Sequence, residues 1–275
     1  MTTLRFRPIA QSQPSRLALC KSTLRGSLTD GTTAPRIAWA ARTVARSRKS
    51  SPMSRLEQAD VDRLLRQQSL FCAQRGDFST ALSGLNLLLS RYPHSAADYN
   101  NRGLVYFQSG KWDLALCDYD KALALDDTLA NAYNNRANYY AAQGDLFVAM
   151  ADYQTAIELD SSNIRAWINQ GITFRELDMY IPALDNFEEA LDLNDQEPDP
   201  GVYIFLSAHI YAERGRTNHL LGDWNCAMTD YYEAIAYLNH ESQGHTYPPL
   251  WWQVDGWLGE LMEIQKGVPE WGSQN

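Results

Sequence analysis

No run of apolar residues in this 275-residue chain approaches the ~18 that suggest a membrane-crossing helix. Cysteine is scarce: Cys20, Cys72, Cys117 and Cys226 are scattered, and none forms a CxxC pair. Read as reduced structural thiols, they point to an intracellular compartment. Catalytic signatures are missing as well, with no phosphate loop, no GxSxG elbow and no His–Cys cluster at metal-ligand spacing. His240 and His245 lie close in sequence but lack a third ligand. Asp192–Leu193–Asn194–Asp195 lacks the glycine of a calcium loop and fits helix-end capping instead. No nucleophile, base and oxyanion donor can be assembled from these residues. A non-enzymatic role without metal or cofactor is the expectation.

Acidic residues are nearly absent from one part of the chain. Of 24 Lys and Arg, eleven fall within residues 1–55 beside a single acid, Asp30, for a net charge of +10. The other 220 residues hold 13 basic and 32 acidic side chains and sum to −19. Residues 1–55 are also rich in Ser and Thr, lack an apolar period and contain Pro8, Pro14, Pro35 and Pro52. That composition reads as disordered. Three origins fit it: an organellar transit peptide, a start-site artefact ahead of Met53, or a basic arm for an acidic partner or nucleic acid. Outside such an arm, nucleic-acid binding is not expected.

What the rest of the chain has is a period. Ala81, Ala115, Ala149 and Ala183 are spaced by 34 residues, and Ala227 follows after 44. Seven residues on come Leu88, Ala122, Ala156, Ala190 and Ala234; four residues on from the last four alanines come Tyr119, Tyr153, Phe187 and Tyr231. Five residues before them sit Gly76, Gly110, Gly144, Asp178 and Gly222. A constant period of this length marks stacked supersecondary units, each too small to bury its apolar face alone.

This pattern resembles the tetratricopeptide repeat, a helix–turn–helix unit, over residues 62–241. The resemblance implies an all-α, right-handed superhelical solenoid with repeats at 62–95, 96–129, 130–163, 164–197 and 208–241, within a solenoid domain at 56–241. The interval of 44 places a ten-residue insertion at 198–207, where Pro198–Gly201 read as a loop and Val202–Leu206 as an extension of the next helix. In residues 242–275, Leu250, Val254, Trp257 and Leu261 form one helical stripe that reads as a cap on the last repeat. Trp252 and Trp271 are candidates to reach a partner. Tyr99–Asn100–Asn101–Arg102–Gly103 is similar to repeats of the cyanobacterial and plastid type, several of which assist assembly of photosynthetic complexes.

In that family the first helices line a concave groove. The groove positions hold Arg63, Arg66, Arg165, Arg175 and Arg216 against Glu176 and Glu213, a net charge of +3 on an otherwise acidic body. An acidic ligand, or self-association against the acidic convex side, follows from that contrast. The same face carries a row of amides, Gln67, Asn101, Asn135 and Asn169, joined by Asn100, Asn134 and Asn138. A primary amide both donates and accepts, so it can hold the backbone of an extended chain whatever its side chains. Such a row is similar to the asparagine ladder of O-linked N-acetylglucosamine transferase. The carboxylate clamp of co-chaperone repeats is not matched: of Asn100, Leu104, Asn135, Arg165 and Asn169, only Asn135 and loosely Arg165 fit it.

The resemblance implies a protein-interaction scaffold or assembly factor that binds a peptide segment through these amides together with Arg165, Arg175 and Arg216. The alternative is a regulatory or targeting subunit of an enzyme whose catalytic chain is separate. The expected compartment is cytoplasmic, or a plastid or other organelle if residues 1–52 are a transit peptide. Every repeat lies beyond Met53, so a chain lacking residues 1–52 is expected to melt at the temperature of the full chain. A large fall in the thermal midpoint would show that the basic segment packs on the acidic body.

Overall fold

The computed structural model describes residues 55–242 and 248–267. The basic segment expected to be disordered, together with His245 and Trp271, lies outside the described residues. The described residues form eleven helices and no strand. The chain divides into two compact units at Leu88.

The first unit contains α1 (Arg55–Gln74) and most of α2 (Phe78–Arg91). The second contains four further pairs: α3 (Ala96–Gln108) with α4 (Trp112–Leu125), α5 (Ala130–Ala142) with α6 (Leu146–Leu159), α7 (Ile164–Glu176) with α8 (Tyr180–Asn194), and α9 (Pro200–Leu221) with α10 (Trp224–Ser242). Helix α11 (Pro249–Gly267) ends the described chain. Cys72 and Cys226 carry free thiols.

Small residues set how closely the helices of a pair approach. Ala81, Ala115, Ala149, Ala183 and Ala227 have no exposed surface. A Cβ placed on Gly103 would lie 2.7 Å from the Tyr119 ring, and one on Gly171 or Gly215 would lie 2.9 Å from the ring of Phe187 or Tyr231. In the remaining pair Ala137 takes that place, fully buried beside Ala149 and Tyr153. The turn within the fourth repeat lacks glycine, yet Asp178 adopts the left-handed backbone with φ of 59°, as Gly222 does in the fifth at 90°. An aspartate tolerates that region better than most residues, and the Asp178 carboxylate accepts a 2.8 Å hydrogen bond from the Tyr180 hydroxyl.

The insertion lengthens α9 rather than forming a loop as far as residue 201. Asp199 accepts from the backbone amides of Gly201 and Val202 at 2.8 and 3.3 Å, and Pro200, which has no amide proton to satisfy, starts the helix. Buried Asn194, at the end of α8, anchors the extension by donating to the Tyr203 carbonyl and the Ser207 hydroxyl at 3.1 and 2.9 Å. A longer α10 covers it: the Tyr203 and Tyr237 hydroxyls lie 3.1 Å apart, and Tyr237 stacks on Tyr211. Beyond that, Val254, Leu258 and Leu261 of α11 join Ala212, Ala227, Tyr231 and Ala234 in one buried cluster, with Leu250 and Trp257 packed at its edge. The cap expected from the tail's apolar stripe is therefore in place. Trp251 donates its indole N–H to Asn239 at 3.0 Å, and Trp252 stays 62% exposed.

A polar tie recurs in each pair of the second unit. Arg102 grips Asp118 with two hydrogen bonds of 2.7 Å, Arg136 grips Asp152 at 2.8 and 2.9 Å, and Arg214 grips Asp230 at 3.0 and 2.6 Å. In the pair α7–α8 the same positions hold Gln170 and Asn186, joined by a neutral 2.9 Å hydrogen bond. Each arginine also lies over the ring three residues before it, 5.4 Å from Tyr99, 5.5 Å from Tyr133 and 5.2 Å from Tyr211. Burial pushes the Asp118 carboxyl up, and the Arg102 guanidinium opposes the shift.

These ties generate a double-mutant test. Asp118→Ala removes two charge-assisted hydrogen bonds from a largely buried guanidinium and is expected to cost about 3 kcal/mol. The combined Arg102→Gln and Asp118→Asn change copies the neutral pair of α7–α8 and is expected to cost only about 1 kcal/mol. Urea unfolding of Arg102→Gln, Asp118→Asn and the combined variant gives the coupling, and losses that simply add would contradict it.

Candidate functional site

Within the second unit, α3, α5, α7 and α9 touch one another in succession, and no comparable contacts join the second helices. The side presented by the first helices is therefore the more tightly gathered one. It carries the amide row. Asn100 and Asn134 are each only 6% exposed, and Asn101, Asn135, Asn138 and Asn169 are half-buried. Gln67 is exposed on α1, in the first unit.

The amides are tied to one another across repeats. Asn135 donates from Nδ2 to Asn100 Oδ1 at 2.9 Å, and Asn169 donates to Asn134 Oδ1 at 3.1 Å. Each bond joins the sixth position of one repeat to the fifth of the repeat before it. Asn135 Oδ1 also accepts from Asn134 Nδ2 at a long 3.5 Å, so the second N–H of Asn135 and the second N–H and Oδ1 of Asn169 are the groups left over. Asn138 accepts a 2.6 Å hydrogen bond from the Tyr153 hydroxyl, whose acidity burial has sharply weakened.

The arginines are arranged differently from the amides. Arg165 is exposed on α7. Arg175 forms an ion pair with Glu213 and also donates to the Glu213 carbonyl at 3.3 Å. Arg216 pairs with Glu260 of the cap helix at 3.1 Å while lying 5.2 Å above the Trp257 ring. Of the three arginines that this face carries in the second unit, two are thus paired within the protein. Glu260 escaped that reading because α11 lies outside the repeat and carries no periodic signal. The ties Arg102–Asp118, Arg136–Asp152 and Arg214–Asp230 were also missed, although an Arg–Asp spacing of 16 residues recurs at all three.

Between α5 and α7 lies a cavity of about 250 Å³, lined by Asn138, Ala141, Ala142, Tyr153, Asn169, Ile172, Thr173 and Glu176. Burial raises the pKa of the Glu176 carboxyl; Arg175 opposes the shift and Glu213 adds to it. At the far end of the same side, His219 Nδ1 is 3.2 Å from the Tyr231 hydroxyl and 3.5 Å from Arg216 Nη1. Among the described residues no three His, Cys, Asp or Glu gather as a metal site, and no helix is long and apolar enough to cross a membrane.

Family models match two stretches of this array, as a TPR repeat over residues 103–144 and a tetratricopeptide repeat over residues 130–163. No curated protein sequence matches the chain. Among solved structures, a thermophilic tetratricopeptide-repeat protein of Thermus thermophilus is similar with a TM-score of 0.59 at 14% identity, covering 72% of this chain and 98% of its own. PilF of Pseudomonas aeruginosa is similar at 0.55 and 18% identity, covering 77% and 94%. A crystal structure of MamA matches at 0.50 and 19% identity, covering 62% and 95%.

His219 makes the contact between repeat and cap sensitive to acid. Burial first, then Arg216, lowers its pKa below 6.5, while Glu260 pulls weakly the other way. The folded protein therefore binds fewer protons here than the unfolded chain, so the contribution is fully present above 6.5 and is lost as pH falls through the folded pKa. Between pH 7 and 5 the thermal midpoint is expected to fall more steeply in the native protein than in His219→Gln. Parallel pH profiles of the two would rule out this role.

Proposed function

The chain carries tetratricopeptide repeats, and on that premise we propose that it is a protein-interaction scaffold which seats a segment of a partner polypeptide along α3, α5, α7 and α9. The observation carrying this reading is the amide row itself. Asn135 and Asn169 are each held by one hydrogen bond to the repeat before, which fixes their rotamers; each keeps an N–H toward the groove, and Asn169 keeps its Oδ1, while Asn135 Oδ1 accepts a long bond from Asn134. A fixed amide loses little entropy on engaging a peptide unit, so the recurring register of these side chains suits an extended backbone. A role in assembling larger complexes is consistent with a groove that reads backbone more than side chain.

Charge supports a narrower ligand than the residue types suggested. Arg175 and Arg216 already have carboxylate partners, so an acidic segment would have to displace Glu213 or Glu260 to reach them. Arg165, exposed and without a hydrogen bond or ion pair among the described residues, is the remaining cation of the three.

Replacing Asn101, Asn135 and Asn169 together by alanine tests the groove. Each lost contact to a ligand backbone is expected to weaken binding by on the order of 1 kcal/mol, so affinity for the partner co-purified with the native chain should fall tenfold or more. The lost bonds to Asn100 and Asn134 are partly offset by the better helix propensity of alanine, and circular dichroism is expected to report a folded helical array. Undiminished affinity in the folded variant would move the binding surface elsewhere.

A further inference from the structure

We propose that the cavity between α5 and α7 is a site for one cationic side chain, a lysine or arginine presented by the bound polypeptide. This inference rests on the groove reading above and gives that groove a charge preference opposite to the one its arginines suggested.

The cavity wall is mostly acceptors. Tyr153 spends its proton on Asn138 Oδ1, so its phenol oxygen offers only lone pairs to a newcomer. Thr173 donates to the Asn169 carbonyl at 2.9 Å and is left in the same state. Asn169 spends one N–H of Nδ2 on Asn134, which leaves Oδ1 and the second N–H. Glu176 adds a full carboxylate that makes no hydrogen bond or ion pair to any described residue. The donors among these groups are Asn138 Nδ2 and the second N–H of Asn169, against acceptors on Tyr153, Thr173, Asn169 and Glu176. An ammonium or guanidinium, which carries donors and no acceptor, complements such a wall, whereas a carboxylate or phosphate does not.

The local charge balance favours the same ligand. Arg175, the neighbour that could have neutralised Glu176, is committed to Glu213. Glu176 is exposed, and partial desolvation together with Glu213 raises its pKa while Arg175 opposes the shift. A cation entering the cavity would supply a counter-charge.

Size and lining fit a single side chain. About 250 Å³ lies just under the roughly 300–1,000 Å³ of sites for whole small molecules. Ala141, Ala142 and Ile172 line the rest of the wall and can cover the methylene stem of a lysine or arginine. Asn169 of the amide row itself lines the cavity, so a backbone held at that amide can direct one side chain into it.

NMR titration of the full chain tests the proposal with three probes: Nα-acetyl-arginine amide, Nα-acetyl-lysine amide and the uncharged Nα-acetyl-norleucine amide. Saturable shifts at the side-chain amides of Asn138 and Asn169 and at Thr173 are expected from the two cations at concentrations on the order of millimolar, with none from norleucine. Glu176→Gln is expected to weaken both cations about tenfold, the loss of one charge-assisted hydrogen bond. Glu176→Asp should retain part of the affinity. No saturable shift, equal shifts from norleucine, or unchanged affinity in Glu176→Gln would each overturn the site. The groove reading fails separately: partner affinity untouched by the triple asparagine variant, with the cations still bound, leaves the cavity site standing alone. Loss of partner binding in that variant, with no cation bound to the native chain, removes only the cation site.

Discussion

Wherever two helices of a pair cross in residues 89–275, an alanine or glycine on the first faces an aromatic ring on the second, and the ring is sealed against it. Tyr119, Phe187 and Tyr231 have no exposed surface, and Tyr153 has almost none. The space beside Gly103, Gly171 and Gly215 is so tight that even a methyl group would overlap the ring. Close approach at these points brings the backbones near enough for the rings to fill the interior at crystal-like density. Everything else in the unit is placed by that distance, including the reach of Arg102 to Asp118 and of Arg214 to Asp230.

The polar ties illustrate how a repeat keeps a geometry while changing its chemistry. Arg–Asp occupies the tie in three pairs, and Gln170–Asn186 occupies it in the fourth with a hydrogen bond of similar length. Desolvating an ion pair offsets much of its Coulombic gain, so a neutral pair of the same shape holds nearly as well. What the site requires is two groups that satisfy each other when buried, not two charges.

The groove follows a comparable logic one layer further out. Its amides bond to those of the preceding repeat, and two of its arginines bond to glutamates brought from α9 and α11. These contacts order the surface, which in the proposed peptide groove would lower the entropy a ligand must remove. They also redistribute charge: cations counted from residue types are consumed, while Glu176 keeps its own. Net charge at groove positions is therefore a poor guide to the field a ligand meets.

The helix pairs, their small-residue crossings and the apolar stripe of the cap were legible in the sequence, because a period of 34 residues repeats the same packing problem and each repeat answers it with the same residue sizes. The turn at Asp178 was legible only as an exception; its left-handed backbone shows that the neighbouring helices dictate the turn even without glycine. Asn101, Asn135 and Asn169 could be placed on one face by spacing alone, since a face depends only on position along a helix. Which atoms of those amides are already spent could not, because Asn135 and Asn169 meet partners 35 residues away. Arg175 and Arg216 find theirs 38 and 44 residues away, across an insertion and a cap that have no period. Composition and periodicity determined the architecture and the face; only tertiary contacts decided the electrostatics, because an ion pair depends on distances between helices that no single repeat contains.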